Sequence, residues 1–198
     1  MPEKTVQKEP GKKPAPSKKP KPQQEVVVQI SLSELHPFPD HPFQVREDAS
    51  MQETAESVKE YGVLVPALAR PREDGGYELI AGHRRKHACE LAGLATMPVI
   101  VRDIDRDAAT IIMVDSNLQR ENILPSERAK AYKMKMEAIK RQGARTDLTS
   151  PKISAKFRSD DEVGQDAGVS GDTIRNYIAL TQLVPELQQM VDEKKIAL

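Results

Sequence analysis

The chain has 198 residues with 30 basic and 30 acidic side chains, so its overall charge points to no particular partner. The lone Cys89 excludes an intramolecular disulfide framework and a cysteine-rich zinc site, and it suits a reducing cytosol. No apolar run approaches the roughly 18 residues of a membrane span, and the N-terminus has no apolar signal segment. We therefore expect a cytoplasmic protein without a membrane partner.

Residues 1–24 are rich in lysine and proline and contain almost no branched apolar side chains. Such a segment cannot bury enough surface to offset the entropy of ordering it. We expect a disordered basic tail; a non-specific contact with nucleic acid or with an acidic partner is the alternative.

Residues 25–121 alternate strand and helix signals, which predicts a small α/β domain within an α+β chain. The predicted order is a strand over Val26–Leu32, a proline-rich non-helical stretch, a helix over Ser50–Tyr61 ended by Gly62, a hairpin of Ala67–Arg70 with Tyr77–Ile80, a helix over Gly82–Leu91, a strand over Met97–Ile104 and a helix over Asp105–Gln119. Cys89 and Met113 fall on the inner faces of their helices and are predicted to be core.

Residues 122–198 show helical patterns only, which predicts a second, all-α domain. Pro125 suits a first helical turn, and a basic helix follows over Glu127–Gln142, with Ala131, Met134 and Ile139 inward. We expect its lysines and arginines to form a solvated face. The stretch RQGARTDLTSPKIS is predicted to be a polar loop.

A helix-turn-helix is predicted at about residues 160–182, in DEVGQDAGVSGDTIRNYIAL. Gly168 permits the turn, Val169 fills the angle between the helices, and Ser170 is a candidate N-cap. An ordinary helical hairpin is the alternative. If the second helix enters the major groove, the DNA-binding residues are Ser170, Gly171, Thr173, Arg175 and Asn176, with Lys152 and Lys156 on phosphates.

The stretch GHRRKHA, from Gly82 to Ala88, places three basic residues where the helix dipole disfavours cations. A glycine and free amides at a helix start can receive a phosphate, and arginines can clamp its oxygens. Alone, the pattern is also compatible with a solvated basic face.

Four ordered segments, FQVR, GVLVP, GHRRKHA and SNLQRENILPSERA, resemble the boxes of ParB-type chromosome and plasmid partition proteins. The resemblance runs from about Val26 to Leu198. It implies a CTP and Mg²⁺ site in the N-terminal domain, and a homodimer on palindromic double-stranded DNA that closes into a sliding clamp. A ParA-type ATPase is a possible partner, and the implied location is the nucleoid.

The resemblance also implies roles for individual residues. Gln44 is the candidate catalytic residue, which would orient water, and Asn117 is the candidate Mg²⁺ contact beside the phosphates. The implied nucleotide-binding set is Arg46, Gly62, Pro66, Gly82, His83, Arg84, Arg85, Asn117 and Arg120, with Gly62 to Pro66 bordering the nucleotide.

Two departures leave hydrolysis of CTP to CDP and phosphate open: His83 and Ser116 stand where the family usually has glutamate. His83 is interpreted either as an extra cation near phosphate or as an exposed histidine without a role. His36, His41 and His87 show no metal-ligand spacing. The alternatives are a transcription regulator of the same fold without nucleotide turnover and, less favoured, a nuclease or kinase on this fold, whose candidate base is Glu53, Glu56, Asp115 or Glu121.

Overall fold

A computed structural model describes residues 26–120, 122–147 and 159–197. Its elements are β1 (Val27–Ser31), a 3₁₀ turn (Leu32–Glu34), β2 (Leu35–Pro37), α1 (Ala49–Tyr61), β3 (Ala67–Pro71), β4 (Tyr77–Ala81), α2 (His83–Leu91), β5 (Thr96–Val101), α3 (Arg106–Leu118), α4 (Pro125–Asp147), α5 (Ser159–Ala167), α6 (Gly171–Leu180) and α7 (Pro185–Asp192). The predicted tail and part of the predicted polar loop lie outside the described residues.

The strands form one mixed five-stranded sheet in the order β1-β5-β3-β4-β2. The predicted hairpin is confirmed, because β3 pairs with β4 in antiparallel register, while β3 with β5 and β4 with β2 are parallel. Successive residues of β4 face opposite sides, since Leu79 packs with α1 and α2 whereas Ile80 packs with α3 and α4. The mixed α/β fold class is thereby confirmed.

Local capping explains why the helices begin where they do. The side chains of Asp48, Asp105 and Ser170 accept hydrogen bonds from the third backbone amide beyond them, at the starts of α1, α3 and α6. Gly62 ends α1 with a φ of 73°, as expected of a C-terminal glycine. Cys89 and Met113 are fully buried, which confirms both as core.

Three expectations from the sequence are corrected or extended. The proline-rich stretch overlaps the short edge strand β2. This strand has only three residues, one of them proline, so its sequence gives no strand signal. The helix α4 continues to Asp147, so residues 141–147 are helical rather than loop; polar composition and one glycine weaken a helix without ending it. Finally, the sequence patterns do not predict α7, whose Asp192 accepts hydrogen bonds from the backbone and hydroxyl of Ser126 at the start of α4.

The basic residues of α4 do not all lie on a solvated face, because the side chain of Lys135 is only 1% exposed. Its ammonium donates to Asp115 of α3 at 2.7 Å and to Asp166 of α5 at 2.8 Å. Burial lowers the pKa of Lys135, but the hydrogen bonds and charges of the two carboxylates outweigh this effect and raise it. Lys135 is therefore a charged tie among three helices, which we call the Lys135 junction.

No helix within the described ranges is long and apolar enough to cross a membrane.

At the Lys135 junction, removing the two carboxylates is expected to cost more stability than removing the ammonium. Replacing both carboxylates, in Asp115→Ala with Asp166→Ala, leaves a buried ammonium without a partner and is expected to cost about 3 kcal/mol of unfolding free energy. Lys135→Met keeps the apolar stem and removes the charge, so about 1 kcal/mol or less is expected. Chemical denaturation measures both values.

Lys133→Met, an exposed lysine on the same helix, is the control and should change stability by less than about 0.5 kcal/mol. The assignment is contradicted if Lys135→Met costs as much as the double carboxylate variant.

Candidate functional site

The start of α2 is fixed against the sheet by Gly82. This residue has a φ of 112°, and a Cβ on it would lie 2.8 Å from the Cβ of Ala67 in β3. Only glycine tolerates both the backbone conformation and this approach. The first amides of α2, which have no partner within the helix, are thereby held at the sheet edge as a potential anion site.

Arg85 holds the loop between α1 and β3. Its Nη1 donates to the carbonyl oxygens of Val65 at 2.5 Å and Pro66 at 2.7 Å. The loop, α1 and Arg85 line an open cavity of about 400 Å³ that reaches Gly62. The predicted bordering segment and the predicted arginine are thus brought together, with Arg85 positioning the loop in this structure.

Arg84 lies beside the start of α1. Its Nη2 donates to the hydroxyl of Ser50 at 3.2 Å and lies 3.8 Å from the carboxylate of Asp48. Burial lowers the pKa of Arg120, and the nearby charge of Arg84 lowers it further. The pKa of Arg85 is lowered by burial and then by Arg120. Arg120 therefore interacts electrostatically with both arginines of α2, and we call Arg84, Arg85 and Arg120 the arginine cluster.

Glu127, in the first turn of α4, contacts two of the residues that were predicted to lie at the nucleotide site, Gln44 and Arg46. Its carboxylate accepts from the backbone amide of Gln44 at 3.1 Å and from that of Leu124 at 3.2 Å, and lies 3.9 Å from the guanidinium of Arg46. The bond to Leu124 is one half of a capping box. Sequence reasoning missed Glu127, although a glutamate three residues after the cap position is the signal that could have found it.

His83 is half-buried, so its interpretation as an exposed histidine is wrong, whereas its role as a cation beside a bound phosphate stays a prediction. Its ring lies on that of His41, with centroids 3.9 Å apart. Burial, and then the charges of His41, Arg120 and Lys86, lowers the pKa of His83 to about 3. The pKa of His41 is also lowered, chiefly by burial. Both rings are therefore neutral at pH 7.

Asn117 is buried on α3, and its amide nitrogen is used within that helix. The Nδ2 atom donates to the carbonyl of Met113 at 2.8 Å and to the hydroxyl of Ser116 at 3.3 Å. Ser116 itself donates to Met113. These hydrogen bonds explain how the polar side chain of Asn117 is accommodated in its buried position on α3. The expected contact of Asn117 with a metal ion stays a prediction.

The helices α5 and α6 are joined by a turn at residues 168–170, in which Gly168 has a φ of 68°. Val163 and Ile174 are fully buried against Tyr132 of α4, and Val169 packs on this cluster, as predicted. Gly171 is buried, and a Cβ there would lie 2.2 Å from a carboxylate oxygen of Asp161. Gly171 therefore lies on the side of α6 that faces α5, which does not fit the DNA contact expected of it.

The outward face of α6 carries three of the predicted DNA-binding residues. Arg175 and Asn176 are exposed and Thr173 is half-buried. The guanidinium of Arg175 is paired with the carboxylates of Asp160 and Asp172, whose hydrogen bonds and charges raise its pKa. Ser170 is exposed and caps α6. Lys152 and Lys156 lie outside the described residues.

An arginine-lined helix start on a mixed sheet, followed by two helices joined by a tight turn, is the arrangement expected of a ParB-type protein. The family model of the ParB N-terminal domain matches residues 16–118. The chain belongs to this family.

Relatives of known role span the later helices as well. The chromosome-partitioning protein Spo0J of Thermus thermophilus is 35% identical over 86% of this chain and 56% of its own length. The probable chromosome-partitioning protein ParB of Helicobacter pylori is 39% identical over 86% of this chain and 52% of its own. The chain thus spans about half the length of these relatives.

Two solved structures resemble the fold. The C-terminally truncated chromosome-partitioning protein ParB of Caulobacter crescentus, complexed to the centromeric parS site, has a TM-score of 0.56 at 26% identity and covers 86% of this chain and 80% of that one. A pNOB8-like ParB N-domain has a TM-score of 0.56 at 18% identity and covers 88% and 72%, which shows the fold alone.

The close approach at Gly82 predicts that Gly82→Ala lowers the unfolding free energy by about 2–4 kcal/mol, because strain and overpacking add. Gly93→Ala is the matched control, since Gly93 also has a positive φ (73°) but has no atom within 4 Å of the position that a methyl group would take. It should cost only about 1–2 kcal/mol.

Thermal or chemical denaturation of a cycle that adds Ala67→Gly separates the two causes. The Ala67→Gly and Gly82→Ala changes should couple favourably by at least about 1 kcal/mol. If the changes in unfolding free energy of the two single variants simply add in the double variant, the contact with Ala67 is not the reason that position 82 requires glycine.

Proposed function

We propose that this chain is a site-specific DNA-binding partition protein that binds CTP at the start of α2 and acts as a nucleotide-regulated clamp. The arginine cluster is the observation that carries the proposal. Burial and the charge of Arg84 lower the pKa of Arg120, and burial and the charge of Arg120 lower the pKa of Arg85, so a bound anion such as a triphosphate would be stabilised by these guanidinium groups. The chromosome-partitioning relatives support a role in chromosome segregation, and segregation of a plasmid or mobile element is the other form of this proposal.

The described residues suit a nucleotide. The amides after Gly82 and the guanidinium of Arg84 would receive phosphates, with Arg120 adding charge. The cavity between α1 and the loop of Gly62 to Pro66 would receive the cytidine, with Arg85 fixing that loop. Gln44 and Arg46, held by Glu127, would border the terminal phosphate.

The residues suit Mg²⁺ less well. Mg²⁺ prefers oxygen ligands, usually one or two carboxylates together with substrate phosphates. Within the described ranges, no three histidine, cysteine, aspartate or glutamate side chains are grouped closely enough to hold a metal ion. If Mg²⁺ is used, it is held mainly through the phosphates, and slow hydrolysis to CDP and phosphate is part of this proposal.

We propose α5 and α6 as the DNA-reading unit of a second, all-α domain that begins near residue 122. Thr173, Arg175 and Asn176 would face the major groove, and Lys152 and Lys156 would touch phosphates. A homodimer on a palindromic site would place two copies of α6 in successive grooves. The Caulobacter crescentus protein similar to this chain is complexed to the centromeric parS site, which supports this assignment. A nucleoid location and a ParA-type ATPase partner complete the proposal.

A DNA-binding transcription regulator without nucleotide turnover is the second candidate. It is favoured by His83 and Ser116, since neither supplies the carboxylate that the family resemblance leads us to expect for metal-assisted hydrolysis. A kinase is disfavoured because Asp115, one of its candidate bases, is engaged by Lys135.

Arg84→Ala is expected to weaken CTP binding by at least about tenfold, because it removes a charge-assisted contact with phosphate. Equilibrium binding of labelled CTP in the presence of a divalent cation measures this. Lys86→Ala is the control, since it removes a basic residue of the same helix that is already paired with Glu90 at 2.5 Å. Equal affinity of Arg84→Ala and wild type for CTP would overturn the phosphate assignment.

Arg175→Ala is expected to weaken binding to a DNA site, selected by the full chain from a random pool, by about 5- to 150-fold if the arginine reads a base edge. Binding to unrelated DNA should change little. Asp160→Ala is the matched control, because it breaks the same ion pair but keeps the guanidinium. If both variants lose affinity equally, the ion pair acts through the packing of α5 on α6, and the base-reading assignment fails.

A further inference from the structure

Two stacked histidines lie next to the arginine cluster. The rings of His41 and His83 have centroids 3.9 Å apart and are tilted by 46°. The Nε2 atoms of both rings are buried and have no hydrogen-bond partner among the described residues. Buried polar atoms are nearly always paired, so these two ring nitrogen atoms are candidates to bind a ligand.

The tautomer of His41 is fixed by its other nitrogen. Nδ1 lies 2.7 Å from the carbonyl oxygen of Phe43, which can only accept a hydrogen bond, so Nδ1 carries the proton. The Nε2 atom therefore presents a lone pair. The ring also packs edge-on against Phe43, with centroids 5.6 Å apart, which fixes its orientation. A backbone carbonyl that orients the far side of an imidazole is the usual support of a metal-binding histidine.

His83 is fixed from its backbone. It is the first residue of α2 and directly follows Gly82, whose position is set by the contact with Ala67. The two imidazoles thus come from separate segments that meet at one edge of the sheet, at the start of the helix where the proposed triphosphate binds.

The surroundings determine which ligand this pair can hold. The positive charges of Arg120 and Lys86 act on His83. The positive charge of Arg120 also acts on His41, where the carboxylate of Glu127 opposes it. These mainly positive charges disfavour the binding of a metal ion when no nucleotide is bound. A bound triphosphate reverses the local charge and supplies oxygen ligands, so a metal would bind together with the nucleotide.

We propose that His41 and His83 bind a divalent transition metal ion through their Nε2 atoms and that phosphate oxygens of the nucleotide complete its coordination. The inference rests on the proposed nucleotide site. Imidazole nitrogens suit Co²⁺, Zn²⁺ and related ions, whereas Mg²⁺ prefers oxygen. The histidine at position 83, where the family usually has glutamate, would thereby change the metal preference of the site.

CTP binding by the full chain, measured separately with Mg²⁺ and with Co²⁺, tests this inference. We expect tighter binding with Co²⁺, together with a visible absorption band of nitrogen-coordinated Co²⁺ that forms only when CTP is present. His41→Gln and His83→Gln should each weaken Co²⁺-dependent CTP binding by about 10- to 100-fold and abolish the band. His83→Glu should shift the preference to Mg²⁺.

His87→Gln is the matched control, because it removes an imidazole one turn further along α2 that lies against Glu47 and Glu90. It should leave both the affinity and the band unchanged. CTP binding that is equally tight with both ions and insensitive to His41→Gln and His83→Gln would overturn the metal site alone. Failure to bind CTP with either ion would overturn the proposed nucleotide function, and the metal site with it.

Discussion

The buried ammonium group of Lys135 joins three helices of this protein through two ion pairs. Lys135 lies in the middle of α4 and donates to a carboxylate of α3 on one side and of α5 on the other. Because a buried charge is costly without its partners, arrangements of the three helices that separate Lys135 from both carboxylates are disfavoured. The sheet with its arginine cluster and the α5–α6 pair are both positioned relative to this junction.

The helix α4 links the two proposed sites physically. Its first turn carries Glu127, which binds the Gln44 backbone beside the arginine cluster. One turn later, Tyr132 packs edge-on against Tyr177 of α6, with centroids 5.6 Å apart, and Arg128 lies over the same Tyr177 ring. A ligand that moves the start of α4 therefore acts directly on the packing of α6. This gives the proposed coupling of nucleotide and DNA a specific structural element.

Sequence patterns predicted the regular elements well because their signals are local. The cap Ser170, the C-terminal Gly62 and the β3–β4 hairpin follow from residue types within a few positions. The burial of Lys135, His41 and Gly171 could not be predicted from local patterns, since it depends on residues that are distant in the chain or on another helix. A lysine among other basic residues on a helix predicts a solvated face, and only the tertiary positions of Asp115 and Asp166 reverse that expectation. The same holds for the site: the family resemblance indicated Arg84 and Arg85, whereas the stacking of His83 on His41 required the structure.

The coupling between the two sites is the central claim, and equilibrium binding of CTP, ATP, GTP and UTP with and without the selected DNA site tests it most directly. We predict that CTP binds selectively, that the DNA site changes its affinity, and that CTP changes the affinity for DNA by the same factor, as linkage requires. CTP affinity that is identical with and without that DNA would contradict the claim and leave two independent sites. Binding of no nucleotide would leave a DNA-binding protein whose arginine cluster serves another anion.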